Sequence, residues 1–339
     1  MAQKLPQRPE NGARRGLILG KFMPVHNCHR YLVDFARGFV DELVILVCSL
    51  ESEPIPGSQR VAWMRKLYPD CRVIHITDAL PQTPQEHPDF WPLWQAAIRT
   101  AVAEPVDYVF TSESYGDELA RVLDAKHIPV DPKRETVPVC GSEIRARPLA
   151  HWQHIPELVR PSLLKRVCLF GPESVGKSTL SKQLAKHYDT TFVAEFARTL
   201  LDSKQGTCDL SDIPLIARGQ LASEDAASQL ANRVLFCDTD LITTTIWSQV
   251  LFGECPDWIE QQSAQRHYDL FLLLDIDVPW IADDQRCLRE YREEFMQLCI
   301  EALERQRRPY KRISGAWDSR FKQACHWVDQ LLAEEHGVR

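Results

Sequence analysis

Residues 167–180 read VCLFGPESVGKSTL: an apolar run, a loop holding two glycines, then Lys-Ser and the start of a helical pattern. A buried strand that feeds G-x-x-x-x-G-K-S and then a helix is a phosphate-binding P-loop. Gly171 and Gly176 let the backbone turn successive N–H groups inward, and the dipole of the next helix reinforces that anion nest. Lys177 would reach the outer phosphates and Ser178 would hold Mg²⁺, with Thr179 beside them on the nucleotide. A chance Gly-rich loop is the alternative, but all four specified positions match between a strand signal and a helix signal. About 165 residues precede the motif, more than one nucleotide-binding half-fold needs, so a further domain is expected before it.

The length of 339 residues suits about two domains. A net charge of −7 argues against a nucleic-acid footprint. The eleven cysteines are odd in number. They form no C-x-x-C pair, and Cys48, Cys168 and Cys237 sit inside apolar runs. They read as reduced core residues of a cytoplasmic protein. No apolar run approaches membrane-spanning length, and the N-terminus lacks a signal-like apolar stretch, so no membrane insertion is expected. Residues 1–15 read as a disordered leader.

Strand and helix signals alternate along the first half, which implies α/β architecture with a parallel sheet. The apolar run Gly16–Leu19 ends at Gly20-Lys21-Phe22-Met23-Pro24-Val25-His26-Asn27-Cys28-His29, at the start of an amphipathic helix. His26 and His29 share one face of its first turn, beside N–H groups suited to phosphate. Their imidazoles can donate to a polyphosphate, and a surface histidine pair is the alternative. Trp91 and Trp94 follow a proline-rich stretch and suit either an aromatic platform for a substrate or core packing. Val106–Phe110 leads into the polar loop TSESYGD, beyond a strand end where ligands sit in such sheets. Near residue 140, Ser142 is a capping residue, and Arg145, one turn on, can clamp a phosphate.

In the second half, Thr191-Phe192-Val193 ends at Glu195-Phe196-Ala197-Arg198. Glu195 can accept the proton of an acceptor hydroxyl while Arg198 fixes substrate or phosphate; a surface i,i+3 ion pair is the competing reading. The run Arg233–Cys237 closes on Asp238, a Walker-B pattern in which the aspartate holds the metal. Asp240, two residues on, is assigned to the acceptor substrate. After Leu270–Leu274 comes a charged region with Asp283, Arg286, Arg289 and Arg292, suited to closing on a nucleotide or to a solvated helix face. Tyr310–Ile313 reads as an edge strand before a terminal helix.

The order G-K-F-x-P-x-H-x-x-H, R-x-x-W, T-S-E-x-Y-G, G-S-E-I-R and P-loop resembles the NadR-type bifunctional family, in which a nicotinamide mononucleotide adenylyltransferase is fused to a ribosylnicotinamide kinase. The resemblance runs from Gly16 nearly to the C-terminus. It implies a Rossmann-like nucleotidylyltransferase at 16–160 and a P-loop kinase at 161–339, both with parallel sheets. By the same resemblance Gly20 and Phe22 lie near the adenine nucleotide, His26 and His29 bind its phosphates, Ser142 and Arg145 clamp the β- and γ-phosphates, and Trp91 and Trp94 lie near the nicotinamide ring. The pattern P-W-x-x-D-x-x-R makes Arg286 the lid arginine. ATP, Mg²⁺, nicotinamide riboside, nicotinamide mononucleotide and NAD are the implied small molecules, homo-oligomers are compatible with it, and a nucleic-acid partner is not expected. Relatives that repress transcription carry an N-terminal helix-turn-helix, which the residues before Gly16 are too few to form.

Three positions depart from the family pattern. Cys28 stands where Gly is usual before the second histidine and would add a side chain in the crevice. Cys140 replaces a Ser hydroxyl, a hydrogen bond worth about 0.5–1.5 kcal/mol. Ala194 replaces a Trp, removing an aromatic stack. These departures frame two alternatives to a salvage enzyme with both activities: a riboside kinase with a sensing first domain, and a kinase for another nucleoside.

Overall fold

The computed structural model describes residues 13–282 and 289–334. The described residues divide into two compact units, 13–159 and 160–334. In the first unit, β1 (Arg15–Gly20), α1 (Asn27–Phe39), β2 (Glu42–Cys48), α2 (Gly57–Leu67), β3 (Arg72–Ile76), α3 (Phe90–Ala101), β4 (Tyr108–Thr111), α4 (Gly116–Val122), β5 (Lys126–Pro129) and α5 (Gly141–Ala146) follow one another. The sheet is wholly parallel in the order β3-β2-β1-β4-β5. The central strands are continuous apolar runs because helices cover both faces, and β2 buries Leu43 through Val47. β5 escapes a search for apolar runs because this short edge strand reads KHIP and is only partly buried. Arg15, placed before the first domain from sequence, opens β1, its backbone N–H donating to Asp107 at 2.7 Å and its guanidinium pairing with Glu42 at 2.6 Å.

The second unit runs β6 (Lys165–Phe170), α6 (Lys177–His187), β7 (Phe192–Val193), α7 (Phe196–Ser203), α8 (Ile213–Ser228), β8 (Val234–Asp238), α9 (Leu241–Phe252), α10 (Asp257–Gln265), β9 (Leu270–Leu274), α11 (Arg292–Arg305), β10 (Tyr310–Ile313) and α12 (Trp317–Ala333). Its parallel order is β10-β9-β6-β8-β7, which puts β10 on an edge as its sequence suggests. Val167, Leu169, Phe236, Leu272 and Leu274 are fully buried and pack with Leu184 and Val328. With β6 central and flanked by β8 and β9, the P-loop leaves the carboxyl edge between the two strand ends that carry Asp238 and Asp275. No helix among the described residues is long and apolar enough to cross a membrane.

Candidate nucleotide sites

In the first unit the loop after β1 is folded back on itself. Phe22 is buried in left-handed backbone (φ 52°), and a Cβ at Gly20 would stand 3.2 Å from its ring. Phe22 in turn packs on His29 (ring centroids 4.8 Å), and His29 on His26 (3.9 Å). His26 Nδ1 lies 3.0 Å from the Pro24 carbonyl. A carbonyl can only accept, so the proton is on Nδ1 and Nε2 is the nitrogen left for a ligand. Burial pushes His26 down to about 4, with Arg134 and Arg145 adding to the effect. Burial, then the neighbouring His26, lowers His29 as well. His29 Nδ1 is buried and finds no partner among the described residues.

Across the crevice, α5 brings its first turn against this pair. A Cβ at Gly141 would approach Arg145 Nη1 and His26 Cε1, each at 3.3 Å, so glycine sets how closely the two elements meet. Arg145 donates to Met23 O at 3.0 Å. His26, His29, Gly141 and Arg145 are therefore one constellation, two neutral imidazoles beside a guanidinium. Ser142 Oγ is 2.9 Å from Cys140 Sγ.

The remaining sequence assignments in this unit divide. Trp94 packs in the core with Phe90 and Ile98, and its indole N–H donates to Pro81 O at 2.9 Å; core packing, not a platform, is its observed role. Trp91 is half-buried, edge-on to Phe90 at 5.0 Å. Cys28 does not project freely into the crevice: its thiol donates to Val139 O at 2.7 Å, with Val137 O at 3.4 Å. Cys140 keeps the reciprocal cap of α5, its N–H donating to Glu143 Oε2 at 2.9 Å. Two supporting residues were given no role from sequence. Arg134 bridges Glu113 (2.6 Å) and Val139 O (3.2 Å). Arg60, fully buried from the R-x-x-W motif, pairs with Glu53 at 2.5 Å and donates to Lys21 O at 2.8 Å.

In the second unit both P-loop glycines are required by geometry. Gly171 (φ 131°) would push a Cβ to 2.9 Å from Leu274 O, and Gly176 (φ 90°) to 2.4 Å from the Trp317 ring. Lys177 Nζ donates to Gly171 O (2.8 Å) and Pro172 O (2.7 Å), which stretches its side chain along the loop. Two arginines hold the loop from behind. Arg320 Nη1 donates to Val175 O at 3.0 Å, and Arg292 Nη2 to Ser174 O at 3.1 Å. In a trans peptide the C=O and the following N–H point opposite ways. Gripping these carbonyls therefore aims the N–H groups of Val175 and Gly176 the other way, toward the cleft both residues line. From sequence Arg292 belonged to the charged region suited to closing on a nucleotide or to a solvated helix face, and a grip on the P-loop was not assigned to either arginine.

The cleft is lined by Gly176, Lys177, Ser178 and Thr179, by Glu195 and Arg198, and by an apolar wall that includes Ile213, Ile216, Trp247 and Leu251. Glu195 and Arg198 pair at 3.3 Å. Asp238 is buried with the Ser178 side chain beside it; burial, then the charge of Glu195, raises its pKa. Its Oδ1 has no partner among the described residues. A buried carboxylate with an unpartnered oxygen beside a P-loop serine fits a divalent cation, which would supply the missing counter-charge. Asp240 is placed otherwise than expected: it is buried, caps α9 by accepting from Thr243 N–H at 3.1 Å, and is not among the lining residues. Ala194 is exposed and likewise absent from the lining, whereas Trp247, tilted against Phe295 with ring centroids 4.6 Å apart, lines the cleft. Arg286 lies outside the described residues.

A family model described as an AAA domain matches residues 166–320. Over 94% of its length the chain is 30% identical to the trifunctional NAD biosynthesis/regulator protein NadR of Escherichia coli K12, covering 84% of that protein. The chain belongs to the NadR family. It also matches the same protein of Salmonella typhimurium LT2 at 29% identity over 98% of this chain and 86% of that one. Among solved structures, a NadR protein in complex with NAD and AMP-PNP aligns with a TM-score of 0.79 at 19% identity, over 95% of this chain and 97% of that one. At that identity the NadR structure speaks for the fold: an α/β chain with a P-loop unit, as the sequence implies.

Proposed function

We propose that this NadR-family chain is an enzyme of NAD biosynthesis with two ATP-dependent activities. The second unit phosphorylates nicotinamide riboside to the mononucleotide, and the first transfers AMP to the mononucleotide to give NAD and pyrophosphate. The observation that carries the kinase half is the buried Asp238 Oδ1, unpartnered among the described residues, beside Ser178, a serine that lines the cleft with Glu195 and Arg198. Ser178 and Asp238 would hold Mg²⁺, which supplies charge neutralisation to the transferring phosphoryl group. Lys177 and the N–H groups of the P-loop bind the β- and γ-phosphates, Glu195 accepts the proton of the ribose 5′-hydroxyl, and Arg198 orients the carboxylate it pairs with.

In the first unit His26, His29 and Arg145 hold the ATP phosphates while the mononucleotide phosphate attacks the α-phosphorus; the unit works by position and electrostatics, with no covalent intermediate. A NadR protein solved in complex with NAD and AMP-PNP, a NadR protein solved in complex with NR, and the NAD-biosynthesis name of the Escherichia coli relative support this reading. The test is purified protein with Mg-ATP and either riboside or mononucleotide. ADP formed from the riboside, and NAD with pyrophosphate from the mononucleotide, are the expected products. ADP without pyrophosphate would reduce the first unit to a binding domain, and no riboside turnover would overturn the kinase assignment.

A further inference from the structure

Gln220, on α8, uses only half of its amide. The residue is 1% exposed, and its Oε1 accepts from the backbone N–H of Phe196 at 3.1 Å. That N–H is the first of α7 and has no partner within its own helix. The bond decides the amide's orientation, because the end facing an N–H must be oxygen. Nε2, with two donors, is then left over; it is buried and finds no partner among the described residues. Gln220 lines the cleft with Glu195, Arg198 and Trp247.

The amide cannot turn over to relieve this. Rotation would set NH₂ against N–H and orphan Phe196. The backbone there is also closely set: a Cβ on Gly219 would fall 2.1 Å from the Phe196 ring, so α7 and α8 touch at a glycine. A second group in the same cleft is in the same state: Thr239 Oγ1, next to Asp238, is buried without a partner among the described residues. An unpaired donor so placed carries a desolvation cost that an incoming oxygen relieves, and a site built this way rejects a ligand lacking that oxygen.

We propose that Gln220 is a specificity-determining residue of the acceptor subsite, its Nε2 donating to an oxygen of the phosphoryl acceptor. The inference rests on the kinase reading given above. The shared chemistry is a neutral hydrogen-bond-accepting oxygen, with two sources on a nicotinamide riboside: a ribose hydroxyl or the carboxamide carbonyl.

The experiment measures steady-state phosphorylation by the full chain, by Gln220→Glu and by Gln220→Met. The substrates are the riboside, its 2′-deoxy and 3′-deoxy analogues, and an analogue with the carboxamide replaced by methyl. Gln220→Glu keeps an oxygen for Phe196 and removes the amide donor; it is expected to keep the parent's KM for ATP and lose about tenfold or more in kcat/KM for the riboside. Gln220→Met loses the cap as well, and its thermal midpoint falls. The parent should lose a similar factor on the one analogue that lacks the partner oxygen, a loss Gln220→Glu does not repeat, which identifies the source. Full kcat/KM for the riboside in Gln220→Glu, or a parent indifferent to all the analogues, overturns the inference while leaving the kinase reading in place. Absence of riboside turnover in the parent overturns both.

Discussion

Arg320 sits 1% exposed in α12 and donates to the carbonyl of Val175, 145 residues earlier, at 3.0 Å. The same guanidinium donates to Gly315 O (2.8 Å) and Asp275 O (2.9 Å) and pairs with Asp277. A planar fork with five donors can serve all these acceptors at once; an ammonium cannot. Arg320→Lys should therefore loosen the P-loop peptide that presents the Gly176 N–H, raising KM for ATP in riboside phosphorylation by about tenfold. Adenylyl transfer by the first unit should be unchanged. Arg320→Met, which leaves the carbonyls of Val175 and Asp275 unpaired, should cost about 3 kcal/mol in denaturant unfolding of the kinase unit. An unchanged KM for ATP in the lysine variant would show that the grip does not shape the cradle.

Separate sites make separable knockouts. On the proposed reading, Lys177→Ala removes the charge of the phosphate cradle and should abolish ADP formation with the riboside as acceptor while pyrophosphate release with the mononucleotide as acceptor continues. His29→Ala should do the reverse. Loss of both activities in either variant would contradict independent catalytic centres. Pyrophosphate and ADP assays on the two proteins decide it.

Much of this arrangement was legible along the chain because the signals are local. Strands buried on both faces are unbroken apolar runs, as in β2 and β9, and the P-loop and histidine loop carry their chemistry within about ten residues. What escaped was decided by long-range packing. Strand order, the short edge strand β5, and the grip of Arg292 and Arg320 on Ser174 and Val175 all join segments over 100 residues apart or have no pattern of their own. Asp240 follows the Walker-B strand closely enough to suggest a ligand, yet Asp is also a favoured N-cap, and the α9 N-terminus claims it. Trp94 and Trp247 are indistinguishable as letters; the first faces the core and the second the cleft.

Cys28 gives a prediction opposite to the one its departure from the family pattern suggests. Its thiol is engaged with Val139 O in the segment that leads to α5, so it ties the histidine helix to the arm bearing Gly141 and Arg145. Cys28→Gly removes that tie and places glycine in the first turn of α1. Stability of the first unit should fall by about 1–2 kcal/mol, the sum of a helix-propensity loss and a lost hydrogen bond. The variant should have lower, not higher, pyrophosphate output. A more active glycine variant at equal stability would show that the side chain obstructs the crevice after all.

The histidine pair makes the first unit acid-sensitive in a direction that follows from its burial. His26 titrates near 6.5 when unfolded and about 4 when folded, because the folded environment desolvates the imidazolium. Above 6.5 both states are neutral and the fold is at full strength. Between 6.5 and about 4 the unfolded chain takes up a proton that the folded one refuses, so stability is lost as pH falls through that window. The full loss is about 3 kcal/mol for His26, and His29, lowered by the same burial, acts in the same sense. His26→Asn provides the control: its amide N–H can replace Nδ1–H as donor to Pro24 O, but it does not titrate. Hydrogen exchange of amides in β1 and α1 of the full chain, corrected for intrinsic rates, reports opening of this unit alone. Between pH 7 and 4.5 the parent should lose protection there, and His26→Asn should lose distinctly less. Equal losses in the two proteins would mean that His26 is not the group that refuses the proton.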